Sequence, residues 1–358
     1  MTKLSRYVSF NVLMAMLLVQ VLLLGLDLVF SFIGELDSVR GNYRAWDAFI
    51  YTVFIVPGHA YQILPISALV GALVGLGSLA SSSELTVIRA AGISTLRIVW
   101  WVMRGALIIV VFGLVLGEFV VPHTDQRAEA TKAIALGQDY QPGRVAGYWQ
   151  REGDDLLNIR LVTPEGKLLG VSRYEYDESG QIKVASHAAT ADFSSAEAST
   201  GWLLNDVRVT EFMDSGESQV SQHEQLLWPV GLTPEFLRTA AASPEQLRLG
   251  ALLSFANYLE SQGQDAGAYV LQFWKKVLSP IAIFSMVLIA CSFIFGPLRS
   301  VTLGFRIIIG VLVGLVFRYT QEAFGFASLL FQWPPLLAVL FPILLCMVIG
   351  VYALYRVR

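Results

Sequence analysis

The sequence predicts a membrane α-helical protein with six transmembrane helices, three before and three after an inserted all-β domain. Only 15% of the 358 residues are charged and 55% are hydrophobic, whereas soluble domains carry about 25% charged residues. The charges are concentrated, because residues 123–268 contain 11 Lys/Arg and 21 Asp/Glu of a total of 25 and 28. Outside that stretch, six apolar runs are long enough to cross a hydrocarbon layer about 30 Å thick.

The six runs are the predicted membrane helices, at about 7–33, 48–79, 96–121, 273–295, 303–319 and 336–354. The second contains Pro57 and Pro65, which predicts a kinked or tilted helix. Lys3 and Arg6 precede the first run, and no small-residue cleavage site closes it. We therefore expect an uncleaved first membrane helix rather than a signal peptide.

Basic residues in the short loops predict the orientation, because they are enriched on the cytoplasmic side. They recur at alternate helix ends: Lys3 and Arg6, Arg89 and Arg97, Arg299 and Arg306, and Arg356 and Arg358. This predicts cytoplasmic termini and places residues 123–268 on the opposite side. The predicted domains are residues 1–122 with three helices, 123–268 with the β domain, and 269–358 with three more helices. Lys275 and Lys276 are exceptions to this rule, because they fall at the helix end on the side opposite to the cytoplasm.

The inserted domain reads as β structure followed by a helix. Short segments rich in Val, Ile, Tyr and Thr are separated by turn clusters at 163–166, 177–180 and 214–216, a pattern typical of a sandwich or open barrel. After Pro234 the spacing becomes helical up to Gly263, which predicts a helix at the membrane interface. Both cysteines, Cys291 and Cys346, lie in apolar runs, so this domain contains no disulfide.

Composition and motifs exclude several function classes. The excess of acidic residues in 123–268 makes nucleic acid an unsuitable partner. The sequence has no phosphate-binding loop of the G-x₄-G-K-[ST] type, no H-E-x-x-H and no metal-spaced Cys/His cluster, so it predicts neither a metal site nor an ATPase in this chain. Any energy for moving a substrate must therefore come from another chain.

The most informative short segment is residues 81–93, which follow the second membrane helix on the predicted cytoplasmic side. Ser83 is a candidate N-cap, and Glu84 lies in the first turn, where a negative charge is favourable. Leu85, Ile88 and Ala91 share one helical face, and Gly92 is expected to end the helix. Spacing alone allows two interpretations: a helix that docks in the groove of a cytoplasmic partner, or an interfacial helix that caps the bundle.

Several blocks together resemble the lipopolysaccharide-export permease family, specifically its G-type member. They are Ser83-Glu84-Leu85, Ala91-Gly92, residues 117–122 (GEFVVP), residues 263–267 (GQDAG) and residues 292–300 (SFIFGPLRS). The resemblance covers essentially the whole chain, including the order of three helices, β domain and three helices. The first two blocks, Ser83-Glu84-Leu85 and Ala91-Gly92, are shared with the F-type paralogue, whereas the last two match the G-type.

The resemblance implies a multi-pass inner-membrane permease that is not itself an enzyme. It implies a heterodimer with the F-type permease, a dimeric cytoplasmic ATPase that binds ATP and Mg²⁺, a single-helix membrane component and a periplasmic bridge. The complex would take lipopolysaccharide from the inner membrane and pass it on through periplasmic jellyroll-like β domains. Residues about 82–93 would be the coupling helix that enters the ATPase, with candidate residues Glu84, Leu85, Ile88, Arg89 and Gly92.

An anionic glycolipid calls for apolar walls and cations at the membrane interface. The candidate substrate-binding cations are Arg40, Arg44, Arg127, Lys132 and Lys276. The alternative interpretation is that these long side chains only extend to lipid headgroups and do not bind the substrate specifically. The chain departs from the family at the end of the first helix, where Ser31, Asp37 and Ser38 stand in place of lysines, and at Glu129, which replaces a basic residue.

Two other function classes remain open at this stage. A self-sufficient secondary transporter would carry ionisable residues deep in several helices, whereas the sequence places them mainly at helix ends. A membrane-anchored scaffold presenting a lipid-binding β domain would need fewer than six helices. The small residues Gly71, Gly75 and Gly77 allow helices to approach closely, either within the bundle or at a heterodimer contact.

Overall fold

The computed structural model describes residues 3–136, 148–152, 155–163, 166–177, 180–196, 199–213, 217–228, 233–261, 263–296 and 301–356. Its helices are α1 (Lys3–Leu36), α2 (Ala45–Ser81), α3 (Glu84–Ala90), α4 (Thr95–Val115), α5 (Val121–Leu136), α6 (Pro234–Ala241), α7 (Leu249–Ser261), α8 (Gly267–Phe295), α9 (Leu303–Phe331) and α10 (Pro335–Arg356). Its strands are β1 (Tyr148–Glu152), β2 (Asp155–Val162), β3 (Leu168–Tyr176), β4 (Ile182–Ala196), β5 (Ser199–Phe212) and β6 (Ser218–Trp228). A π-helical turn, Leu116–Val120, joins α4 to α5, and a short 3₁₀ turn, Pro244–Gln246, precedes α7.

Six segments of the described chain are long and apolar enough to span a membrane, which confirms the predicted fold class. They are α1, α2, the continuous α4–π–α5 segment, α8, α9 and α10. The third continues to Leu136, well past the predicted end at 121. Pro122 does not end it, because proline is tolerated in the first turn of a helix. The fifth likewise runs to Phe331 rather than 319.

Two compact units divide the chain differently from the predicted domains. The first contains residues 1–34, 55–124 and 248–358, and the second contains residues 35–54 and 125–247. The second unit therefore includes the loop between α1 and α2, and α7 belongs with the membrane helices. Within the first unit, Leu252, Phe255 and Leu259 of α7 are buried, and Gly263 at φ +67° follows the end of this helix.

Close helix packing in the first unit involves the predicted glycines. A Cβ atom at Gly71 would lie 2.3 Å from Met16 Cα, and one at Gly75 would lie 2.8 Å from Val12 Cα. The backbones of α1 and α2 therefore approach closely only because these positions lack side chains. This result assigns Gly71 and Gly75 to packing within the bundle.

The second unit contains one antiparallel sheet in which the six strands pair in chain order, β1 to β6. This confirms an inserted β domain, and the described strands form a meander. Leu157, Ala188, Trp202 and Val207 lie in its apolar core, and Leu237 of α6 closes that core against the sheet.

The strands β2 to β5 reverse their buried face part-way along. Apolar and polar residues therefore do not alternate strictly along these strands. On β5, Trp202 and Leu204 are buried on one side of Asp206, and Val207 and Val209 on the other. Asp206 has φ +52°, a left-handed conformation that Asp tolerates better than most residues. The strands stay paired in the same register through this point. The neighbouring strands reverse at the same level. On each of them, two residues three positions apart both face the core: Ile159 and Val162 on β2, Leu168 and Val171 on β3, and Ala188 and Ala191 on β4. On β3 the reversal includes Gly170, at φ +65°.

Some predicted features lie outside the described residues. They are Pro164 and Glu165, Glu178 and Ser179, Asp214–Gly216, residues 297–300 of the family block (including Arg299), and Arg358.

Candidate functional site

The predicted coupling segment forms α3, and burial divides its residues into two sets. Leu85 and Ile88 are each 5% exposed and belong to the core of the membrane unit. Arg89 is exposed, and Val87 is 67% exposed. The apolar pair therefore fixes the helix to the bundle, while Val87 and Arg89 are presented for contact. Glu84 is half-buried at the start of the helix.

The beginning of α3 differs from the prediction, whereas its end agrees. Ser83 has φ +62° and makes no side-chain capping bond, because the side chain of a capping serine normally reaches the helix from an extended backbone. Instead, the Ser82 hydroxyl donates to the Glu84 carboxylate at 2.9 Å. Gly92, exposed and at φ +86°, follows the last turn, and its N–H donates to the Arg89 carbonyl at 3.0 Å.

Lys132 lies in a polar cluster of the second unit. Its Nζ atom is 2.8 Å and 3.0 Å from the two carboxylate oxygens of Glu35. The two side chains are 18% and 11% exposed. The Lys132 ammonium also lies over the Tyr51 ring, 4.7 Å from its centroid. Its charge is thus already compensated by a carboxylate and an aromatic face.

Two tyrosines complete this cluster. The hydroxyl of Tyr43, which is fully buried, donates to Glu35 at 2.8 Å. Burial, followed by the neighbouring Glu35 carboxylate, raises the pKa of Tyr43 well above its usual value, so Tyr43 remains a hydrogen-bond donor. The Tyr51 hydroxyl donates to Glu129 at 3.1 Å. Glu129, which replaces a basic residue of the family, thus orients the ring that covers Lys132.

The other predicted cations of this unit, Arg40, Arg44 and Arg127, have exposed side chains. The Arg44 backbone N–H donates to Asp47 Oδ2 at 2.8 Å, which fixes the start of α2. The guanidinium groups of these three residues are accessible to a ligand, in contrast to the Lys132 ammonium.

Lys276 belongs to the membrane unit and is only 4% exposed. Its Nζ donates to the Gly117 carbonyl at 3.1 Å, and Gly117 lies in the π-helical turn. A π turn leaves backbone carbonyls out of the regular α-helical pattern and is often found at functional sites. The Lys276 ammonium therefore lies inside the helix bundle, and its role in binding the substrate stays a prediction.

Comparison with known proteins supports the resemblance from end to end. A sequence model described as "Lipopolysaccharide export system permease LptF/LptG" matches residues 6–356. The permease protein LptG of Haemophilus influenzae is 35% identical over 99% of both chains. LptG of Escherichia coli K12 is 32% identical over 99% of this chain and 98% of its own. This chain belongs to the LptF/LptG family.

Within that family the chain is of the G type. LptF of Escherichia coli K12 is 28% identical over only 44% of this chain and 48% of its own, whereas the LptG relatives match throughout. The family assignment agrees with the resemblance recognised in the motifs.

Sequence reasoning missed several residues of this LptF/LptG-type chain. The His59 imidazole is hydrogen-bonded to the Asp27 carboxylate, between α1 and α2, inside spans predicted to carry charges mainly at their ends. Arg306 is 3% exposed and donates to the Gly77 carbonyl at 2.8 Å. A lone acidic residue in an otherwise apolar run is the signal that could have identified Asp27.

Within the described ranges, no group of three or more His, Cys, Asp or Glu side chains could hold a metal ion.

Proposed function

We propose that this chain is the G-type permease subunit of an ATP-driven exporter that extracts lipopolysaccharide from the inner membrane. The observation that carries the proposal is the match to LptG relatives over 99% of the chain. Six candidate membrane spans and an inserted β unit agree with this role. The permease itself is not an enzyme in this proposal, and ATP and Mg²⁺ bind in a separate ATPase.

In the proposed complex, α3 transmits the motion of a dimeric cytoplasmic ATPase to the membrane helices. Val87 and Arg89 face the ATPase, and Gly92 ends the helix so that α4 can begin. Leu85 and Ile88 transmit the movement, because they are packed in the same core as the membrane helices. The half-buried Glu84 pairs with a basic residue of the ATPase.

The exposed cations Arg40, Arg44 and Arg127 are proposed to bind the phosphates of the lipid headgroup. Lys132 joins them only when its contact with Glu35 is exchanged for a phosphate contact. Lys276 acts from inside the bundle through the π turn. The termini are proposed to lie in the cytoplasm and the β unit in the periplasm, where it passes lipid to the bridge together with the F-type permease and the single-helix component.

Co-expression with an F-type permease and the ATPase provides the decisive experiment. We expect the ATPase to co-purify with this chain, and Glu84→Lys or Val87→Asp to reduce that yield and lipopolysaccharide-driven ATP hydrolysis at least tenfold. Thr86→Ala, an exposed change on the same helix, is the matched control. Unchanged co-purification and export in both variants would contradict the coupling role.

Orientation and lipid binding have separate tests. In a background without Cys291 and Cys346, a cysteine at Gly180 should react with an impermeant reagent from the periplasm, and one at Ser82 should not. The triple variant Arg40→Ala, Arg44→Ala, Arg127→Ala should lose lipopolysaccharide stimulation of ATPase activity while basal activity is kept. If lipopolysaccharide stimulates the ATPase activity of the triple variant normally, these side chains only contact lipid headgroups and do not select the substrate.

One observation favours a second candidate, a self-sufficient secondary transporter. Asp27 and His59 are hydrogen-bonded inside the membrane spans, and acidic and histidine side chains there form the proton relays of many carriers. Under this alternative, Asp27→Asn would abolish lipid movement driven by a proton gradient without ATPase subunits. Transport that needs the ATPase and survives Asp27→Asn excludes it.

A further inference from the structure

A registered row of side chains crosses all six strands of the sheet. Residues paired directly across antiparallel strands project from the same face. From β1 to β6 the row consists of Trp149, Asn158, Ser172, His187, Arg208 and Gln222, each the direct partner of the next. With neighbouring strands about 4.8 Å apart, this polar row extends over about 24 Å.

The polar row lies on the face opposite to the apolar core. Its members alternate along their strands with buried core residues such as Leu157, Val171 and Val207, and alternate residues of a strand face opposite ways. Trp149, His187, Arg208 and Gln222 are exposed. Packing of the core therefore does not explain the residue types of this row.

An aromatic platform forms one end of the polar row. Trp149 is 45% exposed and stacks with Tyr174, with ring centroids 6.0 Å apart and planes inclined by 17°. Tyr174 lies two residues beyond Ser172 on β3 and so shares its face. Aromatic rings that combine an apolar surface with a polar atom are typical of surfaces that bind partly polar ligands.

The middle of the polar row supplies hydrogen-bonding groups. The Ser172 hydroxyl and His187 Nδ1 are hydrogen-bonded at 3.0 Å. Burial, together with the guanidinium groups of Arg160 and Arg208, lowers the pKa of His187. At neutral pH the imidazole is therefore uncharged, with one nitrogen that donates and one that accepts.

The polar row contains a guanidinium group, that of Arg208, which is paired directly with His187. Arginine binds phosphate and carboxylate groups in two-point contacts. A long polyanion is disfavoured, because residues 123–268 carry 21 acidic residues.

We propose that the polar row is a binding face for phosphorylated oligosaccharide, namely the sugar portion of the exported glycolipid. Sugar rings stack on the Trp149 platform, the row's polar side chains contact hydroxyl groups, and Arg208 binds a phosphate. Sheet faces bind oligosaccharides in this manner in other β folds. The identity of the ligand rests on the proposed function, whereas the chemistry of the face does not.

Direct binding of a lipid-free sugar tests this proposal. The full chain in lipid nanodiscs is titrated with phosphorylated core oligosaccharide released from lipopolysaccharide, and with the same oligosaccharide after phosphatase treatment. We expect the phosphorylated form to bind more tightly, Trp149→Ala to weaken both forms about tenfold, and Arg208→Ala to abolish the preference for phosphate. Lys183→Ala removes an exposed cation four residues from His187 on β4 and should leave affinity within twofold.

Several outcomes would overturn the proposal. They are no binding by the unaltered chain, unchanged binding in both variants with unchanged thermal unfolding, or loss of a co-purifying protein in the variants without any change in sugar affinity. The last result would make the row a protein interface. Failure here is distinct from failure of the proposed function, because export and ATPase coupling are measured independently of sugar binding.

Discussion

Lys132 and Lys276 were both predicted as substrate-binding cations, but their surroundings are of different kinds. Lys132 forms an ion pair with Glu35 beneath the Tyr51 ring. Lys276 is more deeply buried and donates to a backbone carbonyl of a π turn. A buried ammonium can thus contact a carboxylate, as at Lys132, or a backbone carbonyl of an irregular turn, as at Lys276.

The difference between the two sites determines what removal of each lysine leaves behind. Without Lys132, a largely buried carboxylate loses its counter-charge, and such an uncompensated charge is strongly destabilising. Without Lys276, the Gly117 carbonyl loses a hydrogen bond to a charged donor, worth about 1.5–3 kcal/mol. The ion pair is therefore the less tolerant of the two sites, although its lysine is the more exposed.

The largest effect is expected for Lys132→Met. This change should destabilise the folded chain by about 3 kcal/mol, because the largely buried Glu35 carboxylate loses its counter-charge and keeps the hydrogen bond from the Tyr43 hydroxyl. Thermal unfolding of the purified protein in detergent measures the loss. The double variant Lys132→Met, Glu35→Gln should recover much of it, and no recovery would show that the charge of Glu35 is not the cause.

Lys276→Met is expected to cost less, about 2 kcal/mol, the value of one charge-assisted hydrogen bond. The same unfolding measurement applies. Lys275→Met is the matched control, because its side chain is only half-buried and should change stability by no more than about 0.5 kcal/mol. Equal effects at the two positions would remove the assigned role of the π turn.

Tyr43→Phe should cost about 1.5 kcal/mol by removing the donor to Glu35. Because the pKa of Tyr43 is raised in the folded chain, its contribution is complete below pH 10 and is lost as the pH rises above 10. The unaltered chain should therefore lose stability between pH 9 and pH 11 more steeply than the phenylalanine variant. If stability falls equally with pH in both proteins, then the hydrogen bond from Tyr43 to Glu35 does not make this contribution.

The sequence predicted the membrane helices well because length and hydropathy determine a span. It did not predict the partner of Lys132, because Glu35 lies 97 residues away and only the fold brings α1 and α5 together. The burial of Lys276 was missed for a similar reason. The sequence around 117 gives no signal of a π turn, and the acceptor at Gly117 is a backbone carbonyl, which every residue carries.

Local backbone conformation explains the remaining differences. Asp206 at φ +52° reverses the buried face of β5, so strict period-two alternation cannot place Trp202 and Leu204 on the same face as Val207, although all three lie in the core. Ser83 at φ +62° likewise prevents the capping that its residue type predicts. Single left-handed residues other than glycine are rare, and residue type alone does not reveal them.

The smallest effect on stability is expected for Arg127→Ala, which sharpens the contrast with Lys132 on the same helix, α5. The Arg127 side chain is exposed, so its removal leaves no buried charge uncompensated, and unfolding should shift by about 0.5 kcal/mol or less. Its effect should appear instead in the salt dependence of lipopolysaccharide binding, because exposed charges act through a screened field. Binding by the unaltered chain should weaken between 0.05 and 0.5 M NaCl more than binding by the variant. If Arg127→Ala destabilises the chain as much as Lys132→Met, then Arg127 also stabilises the fold, and the proposed difference between the two cations of α5 is wrong.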